Sequence, residues 1–184
     1  MGLLQHDTLV IDQVTNVVSN DFAISDADGQ QVGSIRTEGN ALKRMFLGSR
    51  RLLVLDADGT ALLRLEDTMT LGRDRMEITD GDGRPLASLV KRMSFLKSRI
   101  TVVVDDTELD LTGNMWGFDF TMSGPRGDLA TVARSWSGLG KALLGHSRYV
   151  VQLTPGVPAR ERQAVLGSVI ALDLIREKES RSNG

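Results

Sequence analysis

The sequence predicts a mainly β fold: a closed barrel of twelve antiparallel β-strands that encloses one hydrophobic α-helix. Short apolar or alternating stretches, separated by Gly, Asp and Asn, run from Asp7 to about Leu153 and are typical of an antiparallel sheet or barrel. The period changes near the C-terminus, where residues 159–177 form a helical pattern that is apolar on all sides in its middle. A barrel with more than about eight strands has room inside for such a helix.

Each predicted strand lies between turn-forming residues and is rich in β-branched or alternating apolar side chains. In chain order the strands are Thr8 to Val14, Phe22 to Ile24, Val32 to Arg36, Leu52 to Leu55, Ala61 to Leu65, Met76 to Thr79, Leu86 to Val90, Ile100 to Val104, Glu108 to Leu111, Phe118 to Met122, Leu129 to Arg134 and Tyr149 to Leu153. Pro158 is expected at the first helical position, which tolerates the missing N–H of proline.

Length and composition fit one domain that spans residues 1–184, with the barrel at about 7–153 and the central helix at about 159–177. The longest apolar run, Ala164 to Leu172, is shorter than the roughly 20 residues that cross a bilayer, so we interpret it as a buried core helix. The absence of cysteine excludes disulfides, cysteine-ligated zinc and thiol catalysis. No secretory signal precedes Asp12, so we expect a cytoplasmic protein, with peripheral attachment to a membrane as a further option.

Three Asp-x-Asp-Gly segments, at 26–29, 56–59 and 80–83, raise the question of calcium binding. An EF-hand loop requires glycine at its sixth position, a glutamate at its twelfth and flanking helices. Here the glycine is fourth and the flanks are predicted strands, whereas Asp and Gly tolerate the positive φ of tight hairpin turns. We therefore predict hairpin turns and no metal site.

A meander of strands places alternate connections at opposite ends of the barrel. One predicted rim is acidic and carries Asp26, Asp28, Asp56, Asp58, Asp80, Asp82, Asp105, Asp106 and Asp128 against Arg84 and Arg126. The other rim is basic, and its candidate ligand-binding residues are Lys43, Arg44, Arg50, Arg51, Lys91, Arg92, Lys97 and Arg99, with Lys141 and Arg148 nearby. The formal net charge of −2 thus conceals a strong charge asymmetry.

The basic rim contains an internal repeat, because residues 43–50 resemble residues 91–99. In both copies cations alternate with apolar side chains such as Phe46 and Phe95, a mixture expected of a surface that contacts anionic lipid. The alternative is that the apolar residues plug the end of the barrel while the charges stay solvated.

No catalytic motif is found. His6 and His146 are distant in sequence, and the chain has neither a Gly-x-Ser-x-Gly elbow nor a Gly-rich phosphate loop. Asp173 interrupts the apolar helix, and we interpret it as a structural anchor to a barrel arginine or to backbone amides rather than a catalytic acid. Trp116 and Trp136 are expected in the core or at the barrel lip. We predict a non-enzymatic protein without a cofactor.

Several motifs resemble the LURP-one-related proteins: Leu55-Asp-Ala-Asp-Gly59, Arg64-Leu-Glu-Asp-Thr-Met-Thr-Leu71, Met76 to Gly83, Leu86 to Arg92 and Leu129 to Arg134. The stretch from Arg160 to Asp173 also resembles the end of the phospholipid scramblases. This resemblance implies a tubby C-terminal-like fold, a twelve-stranded barrel around a hydrophobic C-terminal helix. Tubby domains bind phosphoinositides through basic residues, and scramblases are linked to calcium-dependent lipid movement.

The chain departs from animal scramblases, because it lacks their Pro-rich region, their cysteine-rich stretch and an oxygen-rich calcium loop beside Asp173, Glu177 and Glu179. We therefore expect a binding module whose basic rim contacts anionic phospholipid headgroups or another anionic ligand, and we do not expect nucleic acid as a partner. A protein-interaction or oligomerisation scaffold is the alternative. A calcium-responsive, scramblase-like protein is the second alternative.

Overall fold

A computed structural model describes residues 2–12, 21–38, 51–70, 73–93, 98–134 and 148–182. The strands are β1 (Thr8–Asp12), β2 (Asp21–Ser25), β3 (Gln31–Glu38), β4 (Arg51–Asp56), β5 (Ala61–Thr70), β6 (Arg73–Asp80), β7 (Pro85–Met93), β8 (Ser98–Val104), β9 (Thr107–Asn114), β10 (Asp119–Gly124), β11 (Gly127–Ala133) and β12 (Arg148–Leu153). A single 3-10 turn, Leu3–Gln5, precedes them, and the helix α1 (Ala159–Ser182) follows.

The twelve strands form a closed antiparallel barrel in which each strand pairs with its neighbours in sequence. Closure occurs between β1 and β12, where Thr8 pairs with Gln152 and Asp12 with Arg148. The predicted fold class is confirmed. Strand β10 begins one residue later than predicted, because Phe118 has a φ of 52°, which is incompatible with an extended strand.

Helix α1 passes through the barrel. Leu166, Val169 and Ile170 are completely buried against the inner faces of the strands, so the helix and the barrel wall share one hydrophobic core. At 1.5 Å per residue the helix is about 36 Å long. It begins at Ala159 rather than at Pro158, whose carbonyl accepts the first helical hydrogen bond from the Arg162 N–H at 2.9 Å. It also extends beyond the predicted end near 177.

Gly167 lies where the helix packs tightly against strand β6 of the barrel wall. A Cβ at this position would be 2.8 Å from Ile78 Cγ2, too close for an ordinary contact. The glycine therefore lowers local helix propensity but permits the helix to approach strand β6. Within the part of the chain that the structure describes, no helix has the length and apolar character needed to cross a membrane.

The first turn of α1 is attached to the rim of the barrel by polar contacts in several directions. Arg160 donates to Asp105 at 2.9 and 2.6 Å, and this hydrogen bonding lowers the pKa of the Asp105 carboxyl. Glu161 pairs with Arg126 of the turn between β10 and β11. Arg162, in contrast, is buried and binds the segment that precedes β1. These contacts hold the helix within the barrel.

Candidate ligand-binding end of the barrel

The closed meander gives the barrel two chemically different ends. We define the Asp end by the hairpin connections 26–30, 57–60, 81–84, 105–106 and 125–126, which contain six Asp residues and two Arg residues. We define the basic end by the connections 13–20, 39–50, 71–72, 94–97, 115–118 and 134–147, which join strand ends at the opposite side. These six connections contain no Asp or Glu, and their cations are Lys43, Arg44, Lys97, Arg50, Arg134 and Lys141.

The three Asp-x-Asp-Gly segments are hairpin turns with one shared geometry. Their glycines, Gly29, Gly59 and Gly83, have φ values of 82°, 86° and 85°. The first Asp of each segment accepts a hydrogen bond from the N–H of the glycine at 3.0–3.2 Å, and its own N–H donates to the carbonyl four residues later at 2.9 Å. The hairpin interpretation is therefore confirmed.

In the first and third of these turns, the first Asp carboxylate accepts hydrogen bonds from the turn itself. Asp26 Oδ1 accepts from the backbone N–H groups of Asp28 and Gln30, and Asp80 Oδ1 accepts in the same way from Asp82 and Arg84. Hydrogen bonds from Thr60 lower the pKa of Asp58. The described residues include no group of three or more His, Cys, Asp or Glu side chains arranged to hold a metal ion.

The candidate residues at the basic end fall into two groups. Lys43, Arg44, Arg50 and Lys97 lie outside the described residues, as do Lys141, His146 and Trp136. Arg92 and Arg99 lie on strands β7 and β8, where the register places them directly opposite each other. Like charges at directly opposed positions are unfavourable in a sheet unless a counter-charge compensates them.

Lys91, adjacent to Arg92 in sequence, lies on strand β7 and is buried. Its side chain shares the inner face of β7 with Leu89 and is only 4% exposed, and its Nζ lies 5.9 Å from the centroid of the half-buried Trp116 ring. This is the geometry of a cation–π contact. Lys91 is therefore an inner residue in this structure, whereas its role in ligand binding stays a prediction.

Arg51 is exposed at the start of β4. Its Nη2 lies 2.7 Å from Glu66 Oε1 on the neighbouring strand, and both side chains contact solvent. Arg148 at the start of β12 pairs in a similar way with Asp12, at 2.5 Å. These two strand cations are thus compensated by carboxylates nearby.

A cluster that sequence reasoning did not identify lies at the basic end, where three of its residues are buried, one is half-buried and one is exposed. We call it the mouth cluster: Phe118, Arg134, Tyr149, Asp173 and Arg176. The Phe118 and Tyr149 rings are 4.6 Å apart, and the Arg176 guanidinium carbon lies 5.3 Å from the Phe118 centroid. Asp173 is 3% exposed, one helical turn before Arg176.

Electrostatics link the members of the mouth cluster. Burial lowers the pKa of Arg176, the positive charge of Arg134 lowers it further, and the charge of Asp173 acts in the opposite direction. Burial, assisted by the Asp173 charge, raises the pKa of Tyr149 well above its ordinary value. The Asp173 charge therefore acts on Arg176 of the same helix, whereas the anchoring of Asp173 to a barrel arginine or to backbone amides stays a prediction.

The sequence contained weak signals for this cluster. Arg134 ends a strand motif, and the spacing of Asp173 and Arg176 places both on one helix face. The contact with Phe118 joins segments almost 60 residues apart, and only the folded barrel brings them together.

Comparison with known proteins agrees with the architecture. A family model described as LURP-one-related matches residues 7–173. A crystal structure of a protein from Arabidopsis thaliana has a TM-score of 0.55 over 91% of each chain, with 14% sequence identity. At this identity the similarity supports the fold alone. Curated proteins yielded no match.

Proposed function

The chain belongs to the LURP-one-related family, and on that premise we propose that it is a non-enzymatic, tubby-like binding module. In this proposal the basic end contacts an anionic ligand, in the first place the headgroups of anionic phospholipids at the cytoplasmic surface of a membrane.

The distribution of charge among the connections carries this proposal. At the basic end the connections contain six cationic residues and no carboxylate, while the hairpin connections of the Asp end contain six carboxylates and two arginines. A surface potential of one sign concentrates counter-charged ligands and orients their approach. Each Lys or Arg near an anionic membrane contributes about 1 kcal/mol to binding.

The strand cations add a second argument. Arg51, Arg75 and Arg148 pair with Glu66, Glu77 and Asp12, so their charges are largely compensated within the protein. Arg92 and Arg99 occupy directly paired positions of β7 and β8, two strands that contain no Asp or Glu. In the proposal both contribute positive charge to the basic end.

Vesicle sedimentation tests the proposal directly. The protein should sediment with vesicles that mix phosphatidylserine and phosphatidylcholine but not with phosphatidylcholine alone, and binding should weaken as salt screens the charges. The double variant Lys43→Gln/Arg44→Gln should reduce the partition coefficient about thirtyfold, because two contributions of about 1 kcal/mol are lost.

The matched control is Arg84→Gln/Arg126→Gln at the Asp end. It removes the same charge from side chains that are 70% and 74% exposed, so it should bind vesicles as the unmodified protein does. Absence of sedimentation at low salt, or equal losses for both double variants, would refute the lipid proposal.

The two alternatives give different outcomes in the same preparation. A protein-interaction scaffold should self-associate or require a protein partner, which light scattering detects. A calcium-responsive, scramblase-like protein should release heat on calcium titration and transfer labelled lipid between leaflets.

A further inference from the structure

We propose that a cavity at the Asp end of the barrel binds a small, uncharged and mainly apolar molecule with one hydroxyl group, for which phenol is the model. The cavity has a volume of about 180 Å³ and lies between helix α1 and the β8–β9 and β10–β11 hairpins. It is formed by other residues than those of the basic end, so this inference does not depend on the proposed function.

The walls of the cavity are apolar. Leu109 of β9, Leu129 of β11 and Val165 of the helix line it, and each is at most 8% exposed. Val104 and Ala164, which are also buried, extend this lining. An engineered cavity of about 150 Å³ with apolar walls binds benzene. The size and the lining of this cavity therefore fit one aromatic ring.

Two small residues leave this space. Gly124 ends β10, and a Cβ at this position would lie 3.4 Å from Leu129 Cδ1 and 3.6 Å from Leu109 Cδ2. These are ordinary contact distances to two wall residues, so a side chain at position 124 would fill part of the cavity. Ala164 on the helix likewise carries only a methyl group. The cavity therefore results from small side chains at two positions, and it can be narrowed at Gly124 without a steric clash.

The charged residues at the rim favour an uncharged ligand. Arg126 pairs with Glu161, and Arg160 donates to Asp105 at 2.9 and 2.6 Å. Both carboxylates thus already have a guanidinium beside them. A charged ligand would have to compete with one of these partners and would lose its own hydration on entering the apolar cavity. An uncharged ligand leaves both ion pairs intact.

The Thr107 hydroxyl supplies a hydrogen-bonding group for the ligand. Thr107 lines the cavity on the same strand as Leu109, and its hydroxyl has no partner among the described residues. A threonine hydroxyl both donates and accepts hydrogen bonds, so it matches the hydroxyl of a phenol. Water in the cavity would meet few other polar groups, although a buried water typically makes about three hydrogen bonds. Displacement of such poorly bound water by an apolar ring favours binding.

An NMR titration of the full chain with phenol tests the site. The methyl signals of Leu109, Leu129 and Val165 should shift and saturate, whereas those of Leu9 and Leu52, which are buried elsewhere in the core, should not shift. Benzoate and benzylamine have similar sizes but carry a charge. Each should bind at least about tenfold more weakly than phenol, because a charged group loses hydration beside apolar walls.

Two variants change the site in different ways. Gly124→Ala adds a methyl group at ordinary contact distances, and it should weaken phenol binding about tenfold because the ring loses space. Thr107→Val removes the hydroxyl but keeps the shape of the side chain, so phenol binding should weaken about fivefold while benzene binding is retained. Thr112→Val is the matched control on the same strand, because Thr112 is exposed and does not line the cavity. It should bind phenol as the unmodified protein does.

Thermal unfolding of each variant establishes that the fold is retained, and Thr107→Val provides the test if Gly124→Ala does not fold. The site is excluded if Gly124→Ala binds phenol as tightly as Thr112→Val, or if the signals of Leu9 and Leu52 shift as much as those of the cavity. Tighter binding of benzoate or benzylamine than of phenol would overturn the assignment of an uncharged ligand. Vesicle sedimentation of Gly124→Ala should be unchanged, so this site and the lipid proposal stand or fail separately.

Discussion

Replacing Arg162 with methionine should cause a large loss of stability, although the side chain lies at the rim of the barrel. Arg162 is 7% exposed. Its Nε donates to the Val157 carbonyl at 3.0 Å, its Nη1 donates to the carbonyls of Leu4 and His6 at 3.2 and 3.3 Å, and its Nη2 pairs with Asp7 Oδ1. Methionine retains much of the apolar stem but donates no hydrogen bond.

The size of the expected stability loss follows from the polar groups that lose Arg162 as their partner. Removing one partner of a buried ion pair costs about 3 to 5 kcal/mol, much of it from polar groups that lose their partners. Water can reach Asp7, whose side chain is 48% exposed, so the lower part of this range, about 3 kcal/mol, is expected. This would be a substantial fraction of the roughly 5 to 15 kcal/mol by which domains are stable.

Arg160→Met provides the matched comparison two residues earlier in the same helix. Its ion pair with Asp105 is exposed, with side-chain exposures of 45% and 52%, so its loss should destabilise the protein much less than the loss of Arg162. Urea unfolding of both variants measures the difference. Arg162→Met should also accelerate hydrogen exchange at the Leu3 amide, which donates to Asp56 Oδ1 at 2.9 Å within the segment that Arg162 holds. Equal costs for the two variants would show that burial of the Arg162 contacts does not control stability.

Three further predictions concern the core and the turns. Tyr149 is the single tyrosine, and its buried hydroxyl has no hydrogen-bond partner among the described residues, so Tyr149→Phe should be neutral or stabilising by about 1 kcal/mol in urea unfolding. Folding raises the pKa of Tyr149, so the tyrosine ionises at a lower pH in the unfolded chain than in the folded protein. Above the ordinary tyrosine pKa, the free energy of unfolding of the unmodified protein should therefore fall by about 1.4 kcal/mol per pH unit relative to that of Tyr149→Phe. If the free energies of unfolding of the two proteins changed in parallel with pH, this prediction would be contradicted. Gly167→Ala should destabilise the protein by about 1 to 3 kcal/mol, because its Cβ would lie too close to Ile78. The same substitution should become favourable when Ile78 is replaced with alanine. A double-mutant cycle that shows no coupling between positions 167 and 78 would disprove the close approach of the helix to Ile78. Gly59→Ala should lower the free energy of unfolding by about 1 to 2 kcal/mol, because alanine is strained at the φ of 86° that this residue adopts. The added Cβ would meet no atom within 4 Å, so steric contacts do not contribute. An unchanged stability in urea would argue against the turn geometry.

Lys91 illustrates why a basic stretch of sequence need not form a basic surface. Both Lys91 and Arg92 were predicted at one rim, where alternate connections of the meander meet. A strand has a period of two, so neighbouring residues face opposite sides of a sheet. Lys91 shares the inner face with Leu89 and is buried beneath Trp116. The strand was recognised from the pattern, but it was predicted to end at Val90 and extends to Met93.

Phe118 illustrates a local signal that was missed. Its apolar neighbours suggested the start of a strand, whereas the residue closes a turn with a positive φ. Asn114, whose side chain accepts from the Gly117 N–H, was the available sign of that turn. Without the turn, neither the contact with Arg176 nor the mouth cluster could be inferred.

The sequence by itself determined what depends on local chemistry. Asp and Gly at the three hairpin turns, strand alternation between them and the all-apolar helix were sufficient to predict twelve strands, their antiparallel order and the helix inside, because turns and periodicity involve residues close together in the chain. Tertiary structure decided which charged residues meet. Barrel closure joins β1 to β12, and threading of the helix brings Arg176 to Phe118. Such contacts depend on register, strand face and the depth of the helix, and a shift of one residue in any of these would place a different side chain at the mouth of the barrel.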